Sequence, residues 1–320
     1  MGALFRDRLP QLDGALFLTD GGQETTFVFH DGLPLPEFAA FDLLNRDGGE
    51  EHFARYYRQY AAIASQHSAG LVLEAPTWRA SADWGSRLGY TSAALEAANL
   101  RAVGLLVEIR AELQQSLGLE MTVVSGCVGP RGDGYQPGQQ MSAAEAEQYH
   151  RPQVEVFARS DADMVTAMTL NYANEALGIV RAAQAAGMPV AISFTVETDG
   201  RLPTGQSLGD AIEQVDDATD AYPGYYLINC AHPTHIAPAL ADDRPWQDRL
   251  RGLRANASVK SHAELDEATQ LDTGDPAELG WQYADFKRRL PRLNVLGGCC
   301  GTDARHVASI AAACAPLFAS

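Results

Sequence analysis

The 320-residue chain is 46% hydrophobic and 20% charged, which is the profile of a globular protein able to bury a large core. Its 41 acidic side chains outnumber 24 lysines and arginines, so the formal net charge is −17 at pH 7. This acidity argues against nucleic acid or an anionic membrane as a partner, because a surface that binds phosphates needs a cationic field.

Short apolar runs rich in β-forming residues alternate with longer helical stretches along the whole chain. The eight predicted strands span residues 15–19, 70–74, 121–125, 163–168, 189–194, 225–229, 252–256 and 294–297. The predicted helices span residues 50–68, 91–117, 142–159, 174–186, 207–221, 276–289 and 302–313. Ser142 followed by Glu145 forms a capping box, Thr91 precedes an alanine-rich run, and Gly187 stands at an expected helix end.

Eight strand–helix repeats with mostly apolar strands predict an α/β fold in which a parallel sheet closes on itself under a layer of helices. The predicted architecture is a (β/α)8 TIM barrel that forms a single domain over residues 1–320. An open, doubly wound sheet is the alternative. The Pro- and Gly-rich stretch 129–138 is expected to be a long loop after the third strand.

The N-terminal residues lack the apolar core and cleavage site of a signal peptide. No apolar run approaches the roughly 20 residues that span a bilayer. We therefore expect a cytoplasmic protein without a membrane partner, in which thiols stay reduced. The cysteines are then expected to be metal ligands, nucleophiles or core residues, and they are Cys127, Cys230, Cys299, Cys300 and Cys314.

Residues suited to chemistry follow several of the predicted strands. Asp20-Gly21-Gly22 follows the first strand, GCVGP at 126–130 follows the third, and NC at 229–230 ends the sixth. GGCCG at 297–301 ends the eighth strand. The carboxyl ends of barrel strands meet at one rim, where barrel enzymes place their active sites. These motifs therefore predict an active site at that rim.

Cys299 and Cys300 are adjacent and flanked by glycines, so both thiolates can face one ion although their Cα atoms are only about 3.8 Å apart. Cys230 can join them through the fold, since strands six and eight end on the same rim. Three thiolates with an open fourth position are typical of a catalytic Zn²⁺ site. Small buried hydrophobic residues or a vicinal disulfide are the alternatives. Cys127 could be a fourth ligand but is expected to be a rim or core residue, and Cys314 is expected to pack in the terminal helix.

A soft site of three thiolates favours zinc over hard cations and suits sulfur as the fourth ligand. A thiol that binds the metal loses its proton because the metal lowers the thiol pKa, and its sulfur stays nucleophilic. This sulfur can attack a methyl group on a small sulfonium or quaternary ammonium donor. The three cysteines thus predict a zinc-dependent S-methyltransferase that acts on a zinc-bound thiol.

Six segments occur in a characteristic order: LTDGG at 18–22, PTWRAS at 76–81, GCVGP at 126–130, SFT at 193–195, INC at 228–230 and GGCCG at 297–301. Together they resemble the homocysteine S-methyltransferase family, which includes betaine–homocysteine and S-methylmethionine–homocysteine methyltransferases. The resemblance extends from about residue 16 to residue 312. The paired cysteines with an upstream Asn-Cys are its most specific part.

The resemblance implies Zn²⁺ on the three cysteines, homocysteine as the thiol acceptor and methionine as the product. It also implies that Asp20 and the backbone of Gly21 and Gly22 bind the amino-acid part of the acceptor. Thr77 would line the same pocket. Asp20 could instead cap a turn at the strand end, and Thr77 could be structural.

The chain departs from the family pattern at the end of the fourth strand, where Met168-Thr169 replaces the usual Glu-Thr. The carboxylate that pairs with the homocysteine ammonium is therefore absent, and Met168 is expected to fill the pocket floor. Glu24, after the first strand, and Glu74, at the end of the second, are candidate replacements or solvent-facing residues. The stretch 256–263 also differs from the Pro-Asn loop common in the family. A different thiol acceptor is the resulting alternative.

The chain has no room for a cobalamin- or folate-binding module, so the methyl donor is expected to be a free small molecule. Aromatic residues in or beside the rim loops could face a methylated cation, and they are Trp78, Trp84, Tyr135 and Tyr172.

Two functions from other classes remain as alternatives. A barrel zinc hydrolase or lyase would recruit His232 and His235, which follow Cys230 closely. A zinc-storing or thiol-sensing protein would keep the three cysteines without turning over a substrate.

Overall fold

Eight parallel strands pair in chain order, and the last strand pairs with the first to close a barrel. The computed structural model describes residues 2–241 and 243–318. The closed ring confirms the predicted (β/α)8 barrel and excludes the open, doubly wound sheet. The strands are β1 Phe17–Leu18, β2 Gly70–Glu74, β3 Thr122–Val128, β4 Met164–Leu170, β5 Val190–Phe194, β6 Tyr225–Asn229, β7 Leu250–Ala255 and β8 Val295–Gly298.

Helices follow the strands and cover the outside of the barrel. They are α1 Gln23–Thr25, α2 Gly49–Gln66, α3 Ala82–Arg87, α4 Ser92–Leu117, α5 Ala143–Arg159, α6 Ala173–Ala185, α7 Leu208–Asp217, α8 Pro233–Ile236, α9 His262–Asp266, α10 Pro276–Arg289 and α11 Ala304–Cys314. Short 3-10 or π segments lie between them at Pro10–Asp13, Thr26–His30, Pro36–Phe38, Ala40–Asn45, Ala237–Leu240, Pro245–Arg249 and Ala315–Phe318. No helix in the described ranges is long and apolar enough to cross a membrane.

The helix-start signals in the sequence are confirmed by the cap geometry. The Ser142 hydroxyl accepts from the Glu145 backbone amide at 3.3 Å, and the Glu145 carboxylate accepts from the Ser142 amide at 2.8 Å. The Thr91 hydroxyl likewise accepts from the Ala94 amide. Gly187 adopts a φ of +65° just past α6, as expected for a helix C-terminus.

Several predicted bounds differ from those observed, and the differences at β3 and α7 have clear physical reasons. GCVGP at 126–130 was expected after the third strand, but Gly126 lies inside β3, paired with Val165. A Cβ on Gly126 would lie 2.6 Å from the Phe157 ring, so the missing side chain admits a covering helix. Helix α7 ends at Asp217 and not at residue 221, because the chain turns through a positive φ at Asp220 and Ala221.

Strand residues alternate between the barrel interior and the helical layer. Phe17, Val72 and Val123 belong to an interior cluster, whereas the adjacent Leu18 and Leu71 pack under the helices. Leu9, from the segment before β1, is buried in the interior cluster.

The N-terminal segment is held against the amino-terminal end of the barrel by one buried acid. The Asp163 carboxylate accepts from the backbone amides of Leu4 and Phe5 at 2.6 and 2.9 Å. It also accepts from Arg110 at 2.8 Å, and both side chains are buried. Removing one member of such a pair typically costs about 3–5 kcal/mol. The amino end is thereby closed, and the carboxyl end is left for binding.

Candidate active site and metal centre

A cavity of about 430 Å³ opens at the carboxyl ends of the strands, where the sequence predicts the active site. Its lining comes from the strand ends and following loops, from β1 at Asp20 to the residues after β8 at Cys300. The described lining residues include six carboxylic acids and two arginines, so the cavity favours a cation.

The cavity wall contains the three cysteines predicted as ligands. The Sγ atoms of Cys230, Cys299 and Cys300 all lie within 4.8 Å of one another. Zinc–sulfur bonds of about 2.3 Å at tetrahedral angles separate two sulfurs by about 3.8 Å. The donor set and its spacing therefore fit one soft metal ion. All five cysteines are free thiols, so no vicinal disulfide joins Cys299 to Cys300.

Cys230 presents its sulfur from a strained turn at the end of β6. Its φ is +56°, a left-handed backbone conformation that residues other than glycine rarely adopt. The turn is held by several hydrogen bonds: the Cys230 amide donates to the Arg254 carbonyl at 3.1 Å, and its own carbonyl accepts from Asn256 Nδ2 at 3.0 Å. His262 Nε2 donates to the same carbonyl at 2.6 Å. Surrounding contacts thus determine the conformation.

The two adjacent cysteines lie in a turn fixed by neighbouring backbone. The Cys299 amide donates to the Ala255 carbonyl at 2.9 Å, and the Ala257 amide donates to the Cys300 carbonyl at 3.1 Å. Gly301 continues the turn with a φ of +79°, and a Cβ there would lie 2.7 Å from the Asp272 carbonyl oxygen. The glycine that follows the pair is therefore required for the turn.

Three polar side chains surround the sulfurs. Thr169 Oγ1 lies 3.9 Å from the Cys230 sulfur, Asn229 Nδ2 lies 3.8 Å from the Cys299 sulfur, and the Tyr135 hydroxyl lies 3.7 Å from the Cys300 sulfur. These groups can each donate a weak hydrogen bond to a thiolate.

The electrostatics of the cluster concentrate one negative charge on the buried cysteine. The neighbouring Cys299 and Cys300 thiols lower the pKa of Cys230 well below its ordinary value. Interaction with the Cys230 thiolate raises the pKa of Cys299 to about 12 and also raises the pKa of Cys300 well above its ordinary value. A second thiolate in the cluster therefore needs a cation, which a metal ion would supply.

Asp20 lines the cavity, but its carboxylate is already paired. It forms a buried ion pair with Arg254 and accepts from the Tyr56 hydroxyl at 3.1 Å. Arg254 Nε also donates to the Gly298 carbonyl at 3.0 Å, so this arginine connects β7 to the turn after β1 and to the end of β8. The free carboxylate expected at Asp20 is thus largely neutralised by a protein cation. Sequence reasoning missed Arg254, although a charged residue in an apolar strand was the available signal.

The two glycines after Asp20 allow close packing of the loops. A Cβ on Gly21 would lie 2.8 Å from the Tyr60 hydroxyl and 2.9 Å from the Thr302 carbonyl oxygen. A Cβ on Gly22 would clash with the Cys299 carbonyl oxygen. Both glycines line the cavity.

Thr77 is fully buried and does not line the cavity, which corrects the prediction that it forms the pocket wall. Its hydroxyl donates to the Cys127 carbonyl at 2.7 Å and accepts from the Cys127 amide at 3.2 Å. The hydroxyl is thus satisfied by the backbone of β3. Cys127 lines the cavity but lies outside the cluster of three sulfurs.

Met168, Glu24 and Glu74 all line the cavity. The Met168 side chain is buried, as expected for the pocket floor. Glu74 is also buried, and its Oε2 has no hydrogen-bond partner. Burial raises the pKa of Glu74 to about 7 and that of Glu24 to about 7. Each carboxyl group would ionise more readily beside a bound cation.

The aromatic candidates divide into two groups. Trp78 and Tyr135 line the cavity, whereas Trp84 and Tyr172 do not. Tyr135 stacks on His262 with ring centroids 4.0 Å apart. His262, which sequence reasoning did not single out, lies in the stretch 256–263 that differs from the family pattern.

The remaining candidates lie outside the metal cluster. His232 hydrogen-bonds Thr234 at 2.8 Å at the start of α8. Neither His232 nor His235 joins the cluster of three sulfurs, so the structure brings no histidine ligand to it among the described residues. Cys314 is buried in the helical layer, as predicted.

Comparisons with known proteins agree with this geometry. The model of the homocysteine S-methyltransferase family matches residues 17–314. The homocysteine methyltransferase MmuM from Escherichia coli in its metallated form has the same fold, with a TM-score of 0.71 and 20% identity, over 93% of this chain and 96% of that one. Its oxidized form also gives a TM-score of 0.71, at 22% identity, over the same shares of the two chains.

Two mammalian proteins show a partial sequence match. Betaine–homocysteine S-methyltransferase 1 from Rattus norvegicus is 26% identical over 197 residues, which cover 55% of this chain and 45% of that protein. The Mus musculus protein is 25% identical over the same shares. The match therefore spans about half the length of these relatives.

Proposed function

The chain belongs to the homocysteine S-methyltransferase family, and we propose on that basis that it transfers a methyl group from a small onium donor to the sulfur of a thiol. The observation that carries the proposal is the cluster of three cysteine sulfurs within 4.8 Å in the wall of the cavity. An acidic cavity supports a cationic sulfonium or quaternary ammonium donor.

Zn²⁺ is the metal that we propose for Cys230, Cys299 and Cys300, because soft thiolates select it over hard cations. Bound there, it would lower the pKa of an incoming thiol and leave the sulfur nucleophilic. Thr169 and Asn229 lie at the ligand sulfurs and would hold their orientation.

The transfer needs an in-line approach of the acceptor sulfur to the methyl carbon. The thiolate forms the new sulfur–carbon bond, and the donor leaves with the electron pair of the broken bond, so its onium charge is lost. Trp78 and Tyr135 line the cavity and can contact the methyl groups of the donor through their ring faces.

Homocysteine is the acceptor that we propose, and methionine is the product. Glu74 supports this proposal. Its buried carboxyl group has an unpaired oxygen in the cavity, which can accept hydrogen bonds from the ammonium group of homocysteine. Glu24 is the second candidate, and Gly21 and Gly22 leave backbone groups at the cavity wall. A different thiol remains the alternative acceptor, because Met168 cannot neutralise an ammonium.

The family match over residues 17–314 supports the proposal that residues 1–320 form one catalytic domain. Five free cysteines fit a reducing compartment, and we propose the cytoplasm.

Product analysis by mass spectrometry tests the function directly. The purified protein, loaded with zinc, is incubated with homocysteine and a panel of methyl-sulfonium and betaine donors. We expect methionine from at least one donor and none from protein in which Cys299 is replaced by serine. Zinc retention without methylation of any thiol across the panel would instead favour a storage or sensing role.

A further inference from the structure

Arg79 is a buried cation in the cavity wall, in the connection between β2 and α3. The residue is 7% exposed, and it lines the cavity. The guanidinium carbon lies 3.5 Å from the centroid of the Trp84 ring and 4.1 Å from that of the Trp78 ring. Nη1 donates to the Gly132 carbonyl at 3.2 Å. Two rings and one hydrogen bond thus fix the guanidinium plane.

Arg79 forms no salt bridge in the described part of the chain, and the charges of Asp133 and Glu24 act on it only from a greater distance. No carboxylate lies within ion-pair distance, and its buried Nε has no hydrogen-bond partner. Arg254, the other arginine of the cavity, is by contrast paired with Asp20. Burial lowers the pKa of Arg79 to about 10, so the group is still charged at neutral pH. An unpaired cation in a cavity is costly unless a ligand supplies the anion.

The position of Arg79 favours the methyl donor as the source of that anion. In a ring of eight strands β2 lies opposite β6, and Cys230 directly follows β6. Arg79, which follows β2, and Cys230 therefore line the cavity from opposite sides of the barrel. Glu74 ends β2 itself, five residues before Arg79 in the chain, and fits the acceptor ammonium. A donor anchored at Arg79 would extend its onium end towards the cluster.

We propose that Arg79 binds the carboxylate of the methyl donor and so selects donors that carry one. The planar guanidinium, packed against two indole rings, presents paired N–H groups that match the two oxygens of a carboxylate. This assignment rests on the proposed methyl transfer and adds the residue that discriminates between donors.

The test compares one donor in two forms, the free carboxylate and its methyl ester. kcat/KM with homocysteine is measured for the wild type, Arg79→Gln and Arg79→Lys. Arg87→Gln is the matched control, because Arg87 also lies over Trp84, at 4.2 Å, but is exposed, pairs with Glu37 and does not line the cavity. We expect Arg79→Gln to lower kcat/KM for the carboxylate donor by about 10- to 100-fold and to leave the ester within twofold. Arg79→Lys should lose less, and Arg87→Gln should match the wild type.

Several results would overturn the assignment. An equal loss for both donor forms would make Arg79 a structural residue, and a loss confined to the KM of homocysteine would assign it to the acceptor. A binding measurement separates this inference from the proposed function. The donor is added without a thiol, and its binding is measured by the quenching of tryptophan fluorescence. If the wild type methylates no thiol but binds the carboxylate donor tenfold more tightly than Arg79→Gln, the anion site stands although the activity does not. Equal binding by both proteins refutes the site.

Discussion

The Nε2 atom of His262 lies 2.6 Å from the carbonyl oxygen of Cys230 and donates a hydrogen bond to it. The other ring nitrogen, Nδ1, lies 3.0 Å from Glu197 Oε1, and the ring stacks on Tyr135. Cys230 has a φ of +56°, so a buried imidazole braces the strained residue that presents the first sulfur. Glu197, His262 and Cys230 thus form a hydrogen-bonded chain that ends at the metal cluster.

Loss of the His262 ring should weaken metal binding, because partners that orient a ligand typically change affinity by about 10- to 100-fold. We expect His262→Ala to lower zinc affinity by at least about tenfold in competition with a chromophoric chelator. His262→Gln should retain part of the affinity, because its amide can donate to the same carbonyl. His67→Ala is the control, since His67 ends α2 outside the cavity lining. Unchanged affinity in His262→Ala would show that the turn does not need the ring.

Single cysteine variants should identify the metal ligands. We expect Cys230→Ser, Cys299→Ser and Cys300→Ser each to lose most of the bound zinc, since a thiolate is replaced by a poor ligand. Cys314→Ser, in the helical layer, should keep one zinc per chain. Metal analysis after gel filtration measures this. If Cys230→Ser kept all of its zinc and Cys127→Ser lost it, the third ligand would be Cys127 in β3.

Metal removal should abolish methyl transfer and leave the barrel folded. The interior cluster and the helical layer contain no metal ligand, so the core does not depend on the ion. This differs from small zinc domains, which unfold without metal. Far-ultraviolet circular dichroism of chelator-treated protein should match that of the zinc form. Loss of the helical signal together with the metal would make the zinc structural.

The sequence predicted the barrel because strand spacing and helix caps are local signals. β2, β6 and α10 have the predicted bounds, and the three cysteines meet because strand order in a closed barrel brings their strand ends to one rim. Thr77 and Arg254 show where such reasoning stops. Whether Thr77 faces the cavity or β3 depends on packing across the sheet, and the pairing of Arg254 with Asp20 joins residues 234 positions apart.

The acids of the cavity should decide recognition of the acceptor ammonium. If Glu74 accepts it, Glu74→Gln should raise the KM of homocysteine by about 10- to 100-fold with a smaller effect on kcat. Glu24→Gln tests the second candidate in the same assay. Met168→Glu restores the family carboxylate and should be tolerated or lower the KM. A different acceptor would be indicated by two results together: thiols that lack an amino group are methylated as well as homocysteine, and neither Gln variant changes the KM of homocysteine.

The buried carboxyl group of Glu74 should also make the stability of the protein depend on pH. Burial raises its pKa to about 7 from 4.5, with the charge of Arg254 opposing part of the effect. Below pH 4.5 the group is protonated in the folded and the unfolded states, so it contributes no pH dependence there. Between pH 4.5 and 7 the folded state keeps a proton that the unfolded state releases, and the free energy of unfolding therefore falls as pH rises.

Above pH 7 the Glu74 carboxylate is ionised in both states, and the loss of unfolding free energy caused by its burial is complete. A shift of this size corresponds to a loss of up to about 3 kcal/mol. The Glu74→Gln variant has no titrating group at this position, so this contribution to its free energy of unfolding does not change with pH. Between pH 4.5 and 8 the difference in unfolding free energy, variant minus wild type, should therefore increase by up to about 3 kcal/mol. Urea unfolding of both proteins at several pH values measures the difference, with the exposed Glu120→Gln as the control. A difference that stays constant over this range would mean that water or Arg254 already stabilises the Glu74 carboxylate. A rising difference would instead mean that the cavity holds this acid at a cost in stability that a bound ammonium can offset.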